Sequence, residues 1–297
     1  MSMIISKLKR FIRLFIGKYN PKLLVSLLYR KAYGKNMDWD NPKTLNEKIQ
    51  WLKFYSDTTI WTLLADKYRV RDYVKQCGCE NLLVNLYGVW DDAKKIDWNS
   101  LPQKFVMKSN CSCGDIRICL DKLTIDRAEW EKHFAKAMAN KNGYERGEPH
   151  YNKIKPVVIA EELLDVTKQS INSSSLIDYK IWCFNGIPHY IFTCCNRTKD
   201  VLEIGLYDKD WNYHPEKLVF TKQYIESSQR LPKPKSLEIM LECAKRLSNG
   251  LPQVRVDLYE VDGKPYFGEM TMTSASGFMN YFTEDFMLET GSLIKIK

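Results

Sequence analysis

The 297-residue sequence contains neither G-x-x-x-x-G-K-[ST] nor G-x-G-x-x-G, which excludes the Walker and dinucleotide-binding phosphate loops. No apolar window of about eighteen residues occurs, so no segment is expected to cross a membrane as a helix. The nine cysteines fall as Cys77-Gly-Cys79, Cys111-Ser-Cys113, Cys194-Cys195 and singly at Cys119, Cys183 and Cys243. None has the paired C-x-x-C spacing of a zinc site, so the reading is of reduced thiols in a cytoplasmic protein. RNP, finger and helix-turn-helix patterns are absent and Lys and Arg are dispersed, which argues against a nucleic-acid partner. Internal repeats and low-complexity linkers are lacking too.

What is present is ordinary globular composition, 44% hydrophobic and 27% charged, with a net charge of +9 that favours anionic partners. At about 150 residues per domain, the length predicts two domains or lobes. Ile4, Ile5, Leu8, Phe11, Ile12, Phe15 and Ile16 mark one face of a helix, and Lys7, Lys9, Arg10, Arg13 and Lys18 fill most of the remainder. Positive charges interrupt the apolar run and no A-x-A site follows, so a basic amphipathic helix is expected rather than a signal peptide. Such a helix suits either an anionic membrane surface or the protein's own body. A second helix is expected from Pro21.

Thr44-Leu-Asn-Glu47 matches a capping box and opens a helix carrying Leu45, Ile49 and Leu52. Trp61, Leu64, Ala65 and Tyr68 continue a helical pattern that leaves Lys67 off the core face. Strands are expected over 82–90, at Phe105-Val-Met-Lys108 and from Val157 to Ala160. Asp126 with Glu129 caps a helix carrying Trp130, Phe134 and Ala137, and Ser236 to Asn249 reads as another. Asn185-Gly186 and Asp262-Gly263 mark two hairpins, because such pairs tolerate positive φ. Helices mixed with hairpins predict an α+β class.

Lys108 ends a strand just before the polar stretch Ser109-Asn-Cys-Ser-Cys-Gly114, where backbone N–H groups and hydroxyls can wrap phosphate oxygens. In the last hairpin, Arg255 and Asp257 alternate with Val256 and Leu258, so they share a face. A two-residue Asp262-Gly263 loop would pair Asp257 with Gly268 and throw Glu269 to the other side. An odd, three-residue loop would bring Arg255, Asp257, Glu269 and Thr271 together, and is therefore predicted if both carboxylates bind metal.

Together these pieces resemble the TupA-like ATP-grasp family of polysaccharide-biosynthesis clusters. The resemblance is carried by Asn41-Pro-Lys-Thr-Leu-Asn-Glu-Lys-Ile-Gln-Trp-Leu-Lys53, Leu64-Ala-Asp-Lys-Tyr68, Gly88-Val-Trp90 and Phe105-Val-Met-Lys-Ser-Asn110. Further on it rests on Ile159-Ala-Glu-Glu162, Asp178-Tyr-Lys180, Cys183-Phe-Asn-Gly186, Arg255-Val-Asp-Leu-Tyr259 and Phe267-Gly-Glu-Met-Thr271. It covers about residues 40–282, in family order.

The resemblance implies an α+β, ATP-grasp fold: two α+β lobes holding ATP between them, preceded by N-terminal helices, as in D-alanine–D-alanine ligase. The implied organisation is a helical segment over 1–39 and an ATP-grasp unit over 40–297. That unit is divided into an N-terminal part (40–104), a lobe with the phosphate loop (105–164) and a C-terminal lobe with the metal hairpin (165–297). Lys67 and Lys108 would meet the ATP phosphates, and the loop with Ser109, Asn110, Ser112 and Gly114 would close over them. Glu161, Glu162 and Leu164 would lie against adenine. Asp178 or Lys180 would reach ribose or phosphate. Asp257, Glu269 and Thr271 would hold Mg2+, with Thr271 where many relatives carry Asn. Arg255 would neutralise charge on the transferring phosphate, and Arg197 would anchor a substrate carboxylate.

The implied chemistry is activation of a carboxylate as an acyl phosphate, followed by amine attack. The implied substrates are a uronic acid of a capsule or O-antigen type bacterial glycan and an amino acid or other amine. An acceptor on a lipid carrier would give residues 1–18 a role as a peripheral contact at the inner membrane face. The main alternative is a glycosyltransferase, for which Asp208-Lys-Asp210 is the nearest approach to a D-x-D motif. A sugar kinase would need a general base, and none of His133, His150, His189 or His214 sits in a matching motif.

Overall fold

The computed structural model describes residues 2–111 and 114–296. In chain order the elements begin with α1 (Ser2–Tyr19), α2 (Pro21–Tyr33), α3 (Leu45–Tyr55), α4 (Trp61–Leu64) and α5 (Val70–Gln76). There follow β1 (Leu86–Trp90), β2 (Phe105–Ser109), β3 (Ile116–Cys119), α6 (Arg127–Met138), α7 (Asn142–Arg146) and β4 (Val158–Glu161). The rest are β5 (Asp178–Phe184), β6 (Ile187–Cys195), β7 (Leu202–Asp208), β8 (Tyr224–Glu226), α8 (Leu237–Ser248), β9 (Gln253–Val261), β10 (Lys264–Thr271) and α9 (Glu284–Leu293). The chain forms two units, each assembled from three segments: Met1–Gly34, Asp57–Arg71 and Val84–Leu164 in the first, and Lys35–Ser56, Asp72–Leu83 and Asp165–Lys297 in the second.

The first unit is built on an antiparallel sheet of order β1-β4-β2-β3. Alternation along β2 and β4 sends Phe105, Met107, Val158 and Ala160 into one core with Phe134 of α6. Asp126 caps α6, accepting from the Glu129 N–H at 3.0 Å. The helix expected through Tyr68 is interrupted. Asp66 Oδ1 accepts from the N–H groups of Tyr68 (2.9 Å) and Arg69 (3.1 Å), which ends α4 in a turn and restarts the chain as α5. Of the run read as a strand over 82–90, only Leu86–Trp90 is extended, and Glu80–Leu82 forms a 3-10 turn.

The second unit carries a sheet of order β10-β9-β5-β6-β7-β8, antiparallel except for the β7–β8 pair. One face buries Val254, Val256, Leu258 and Ile181. α8 packs on this sheet, with Met240, Ala244 and Leu247 buried. The Asn185-Gly186 turn has φ of 50° and 79°, which joins β5 to β6 without splaying them. α3 opens on the expected capping box: Thr44 accepts from the Glu47 N–H while Glu47 accepts from the Thr44 N–H. Its inner side braces a turn after β10. Gln50 donates to the carbonyls of Ser276 (3.2 Å) and Gly277 (2.8 Å), and Lys53 donates to that of Ser276 (3.2 Å). That support holds three successive residues, Ala275, Ser276 and Gly277, at positive φ, a conformation costing about 1–3 kcal/mol at each non-glycine position.

Candidate functional site

In the second unit the polar face of the sheet is set by one irregularity. The β9–β10 loop is the two-residue Asp262-Gly263, both at positive φ, with Val261 paired to Lys264. The predicted odd-length loop is therefore wrong. The register nonetheless shifts between Phe267 and Glu269, because Gly268 forms a β-bulge, and Glu269 pairs with Asp257 while Thr271 pairs with Arg255. Phe267 thus points into the core and Glu269, two residues on, points to the opposite face. Close approach favours glycine, since a Cβ at 268 would lie 3.0 Å from the Asp257 carbonyl oxygen and 3.0 Å from the Tyr259 ring.

The convergence on that face is dense. Arg255 grips Asp257 with two bonds, Nε to Oδ1 at 2.7 Å and Nη2 to Oδ2 at 2.7 Å. From the paired position on β5, Lys180 Nζ donates to Asp257 Oδ2 at 2.5 Å and lies 3.3 Å from Asp178 Oδ1. Arg255 also donates to Ser274 (3.0 Å) and Thr271 (3.1 Å), and it stands 3.6 Å from Glu269. Thr271 in turn donates to Glu269 at 3.2 Å. Arg197, half-exposed on the segment after β6, lies 3.2 Å from Asp178 Oδ2. Burial disfavours the charges on Lys180 and Arg255, but Asp178 and Asp257 outweigh it for the lysine and Asp257 for the arginine, so both stay firmly protonated. Burial, reinforced by Asp178, Glu269 and Asp257, pushes the Tyr259 hydroxyl well above its usual range.

In the first unit Lys108 lies on the β2 face turned away from α6. Its Nζ is 2.6 Å from Glu161 Oε2, and Arg71 Nη1 holds the other oxygen at 3.0 Å. Arg71 is anchored by its bond to the Val84 carbonyl at 2.7 Å. Asn110 is fully buried: its side chain donates to Asp66 (2.8 Å) and the Lys155 carbonyl (3.1 Å), and accepts from the Val157 N–H (2.8 Å). Through its carbonyl it also holds the Lys67 N–H at 3.2 Å, which fixes Lys67 in the turn between α4 and α5. Ser109 is buried beside Cys111, and Gly114 takes φ of 83° with open space around it. Ser112 lies outside the described residues. Glu162 is tied to Asn85, accepting from its side chain at 2.8 Å, and Leu164 is buried.

The structure thus joins Arg255, Asp257, Glu269, Thr271, Lys180, Asp178 and Arg197 within the second unit; in the first it pairs Lys108 with Glu161 and, separately, the backbones of Asn110 and Lys67. Arg71, Ser274 and the bulge glycine escaped the sequence reading. Only Gly268 left a signal there, an isolated glycine inside a strand. Asp208-Lys-Asp210 is a turn after β7: Asp208 accepts from the N–H groups of Asp210 (2.9 Å) and Asn212 (2.8 Å), and Lys209 pairs with Asp210.

A six-stranded sheet carrying an acidic hairpin in one unit, and a four-stranded sheet with a lysine before a polar loop in the other, are the parts expected of an ATP-grasp protein. The family model described as TupA-like ATP-grasp matches residues 47–295, and the chain belongs to that family. Among proteins of curated function none matches the sequence. Among solved structures the chain is similar to D-alanine–D-alanine ligase from Bacillus anthracis complexed with ATP, at 14% identity and a TM-score of 0.40, over 77% of this chain and 60% of that one. It is also similar to the D-cycloserine synthetase DcsG (14%, TM-score 0.45, 79% and 70% of the two chains). A third is the ATP-grasp ligase PsnB complexed with minimal precursor, Mg and ADP (10%, TM-score 0.41, 84% and 67%). The chain therefore spans about three-fifths of the length of the Bacillus ligase.

The donors on the hairpin fit a hard divalent cation in kind, being carboxylate and hydroxyl oxygens. They are few, however. Among the described residues no three His, Cys, Asp or Glu side chains gather as a metal set, and both Asp257 oxygens already accept from cations. A magnesium ion held by Asp257, Glu269 and Thr271 would rely on phosphate oxygens for much of its coordination, the usual habit of that ion.

Proposed function

We propose that this protein is an ATP-dependent carboxylate–amine ligase with ATP and Mg2+ as cofactors. It activates a carboxylate as an acyl phosphate, which an amine then attacks to give an amide. The observation that carries the reading is the gathering of Arg255, Asp257, Glu269 and Thr271 on one sheet face by the Gly268 bulge.

In this reading Asp257, Glu269 and Thr271 hold the magnesium ion, which supplies charge to the phosphates. Arg255 neutralises charge on the phosphoryl group as it transfers. Lys67, Lys108, Ser109, Asn110, Ser112 and Gly114 serve the phosphates. Glu161, Glu162 and Leu164 serve adenine, and Asp178 or Lys180 serves ribose or phosphate. Arg197 receives the substrate carboxylate. The acceptor is a uronic acid of a bacterial surface polysaccharide, and the amine an amino acid or similar compound. Contact of residues 1–18 with an anionic membrane, at its cytoplasmic face, suits an acceptor carried on a lipid. The Asp208 turn, internally bonded, gives a glycosyltransferase no metal motif.

Thermal unfolding with magnesium-ATP and with a panel of nucleotide sugars, on wild type and Asp257→Asn, tests the assignment. Stabilisation by magnesium-ATP that Asp257→Asn diminishes is the expected result. Stabilisation by a nucleotide sugar alone would replace the ligase with a glycosyltransferase. With the magnesium-ATP response in hand, ADP release in the presence of paired uronates and amines identifies the substrates.

A further inference from the structure

Lysine and arginine occur throughout the chain, but the excess of positive charge does not. Residues 1–37 hold nine basic side chains and no acidic one. The 45 basic residues less these nine leave 36, matched by 36 acidic residues, so the entire net charge of +9 belongs to the N-terminal helices and the few residues after them.

The same helices carry an uncovered apolar stripe. Ile5, Leu8, Phe11, Ile12, Phe15 and Tyr19 recur at intervals of three and four along α1, and Leu8, Phe11 and Phe15 are 57, 65 and 57% exposed. Leu23 and Leu27 of α2 are also exposed, while its Leu24, Val25 and Tyr29 are buried. On a wheel of about 100° per residue, Lys7 and Lys18 border the α1 stripe on one side, and Lys9 and Arg13 on the other. Arg10 lies opposite the stripe and pairs with Glu145 of α7 at 3.0 Å. Nearby, Gly17 meets α7 so closely that a Cβ would stand 1.7 Å from the Tyr144 carbonyl oxygen. α1 is thus held on the first unit by one side and offers the other to solvent.

We infer that α1 and the first turns of α2 form one pre-assembled surface that docks on an anionic bilayer. The aromatic and aliphatic stripe enters the headgroup boundary, and cations on both flanks meet lipid phosphates. Charge complementarity selects this occupant: the patch has no acid to repel the surface, and its cations line both borders of the stripe, as a plane of headgroups requires. The inference extends the membrane contact of residues 1–18 to Leu23 and Leu27. It rests on that part of the proposed function alone, and the ligase chemistry stands or falls separately.

Co-sedimentation of the full chain with phosphatidylcholine vesicles, with and without about one-third phosphatidylglycerol, tests it. The expected result is binding to the anionic vesicles, weakened by salt. The partition coefficient should fall at least about tenfold in Phe11→Glu/Phe15→Glu and severalfold in Leu23→Glu/Leu27→Glu. All four positions are exposed, so unchanged melting temperatures show that the variants are folded. The magnesium-ATP response of the same samples reads the ligase assignment independently. Absence of binding to anionic vesicles, or equal binding by the Phe11→Glu/Phe15→Glu protein, overturns the inference. So does a wild-type dimer that this variant converts to a monomer, which would assign the stripe to self-association.

Discussion

In each unit of the molecule a deeply buried carboxylate is clamped by an arginine and a lysine: Glu161 by Arg71 and Lys108, Asp257 by Arg255 and Lys180. The two clamps differ in what surrounds them. Around Asp257, the further carboxylates Asp178 and Glu269 and the guanidinium of Arg197 complete the set, giving three cations and three anions. Around Glu161 the ion pairs comprise two cations and one anion. A balanced cluster whose Glu269 side chain is 36% exposed suits a cation that arrives with its own anion. A cluster with one positive charge to spare suits the anion itself. The same residue types, differently counted, therefore support the two complementary roles proposed for them.

The largest effect that could break this comparison is expected from Asp257→Asn. It should lower ADP release by about a thousandfold and cost about 3–5 kcal/mol in chemical denaturation, because Lys180 and Arg255 would remain buried without their shared anion. A variant as stable as wild type would end the clamp description. Glu161→Gln should cost less, about 1–3 kcal/mol, since Lys108 is more open to water than Lys180. It should also sharpen the contrast: inorganic triphosphate should raise the melting temperature of Glu161→Gln more than that of wild type, and Lys108→Met should lose the response. An equal response in all three would remove Lys108 from the phosphate site.

Gly268→Ala comes next, at about 1–3 kcal/mol, from the clash with the Asp257 carbonyl and Tyr259 ring. Thermal unfolding measures it, and a neutral substitution would mean that the bulge relaxes freely. The smallest effect concerns pH. Burial pushes the Cys183 and Cys194 thiols of the second unit up to about 12. Groups whose folded pKa is raised stabilise fully below their unfolded values, and that contribution drains away as pH rises through the window between the two. The melting temperature should therefore begin to fall above about pH 9, with a shallower decline in Cys194→Ala. A curve flat to the unfolding of both proteins would contradict the burial of these thiols as a source of stability.

Local chemistry made much of this architecture readable in advance. The Thr44 capping box, the Asp126 cap, the Asn-Gly and Asp-Gly turns and the alternation about Arg255 and Asp257 are all decided within a few residues. The family resemblance added the order of the pieces. What escaped reading depends on partners distant in sequence. Arg71 finds Glu161, Gln50 finds Ser276, and Asn110 finds Asp66 only after the chain has folded, so no local spacing announces them. The break at Asp66 was a conflict between two local signals, in which an aspartate bonding its own backbone prevailed over apolar periodicity. The hairpin was an error of parity. Loop length alone sets the count only in an unbroken ladder, and Gly268 adds a residue to it.

That parity has a consequence of its own. From the turn outward, pairing through Phe267 is governed by the even loop, and from Glu269 onward by the extra residue at 268. Core and site are thereby set by separate controls on a single strand. Lengthening the turn by one residue would invert both, whereas relocating the bulge by one position would exchange the side chains offered to the site and leave the turn-proximal core in place. The hairpin behaves as a two-stage register, with Gly268 as the carry digit between packing and chemistry.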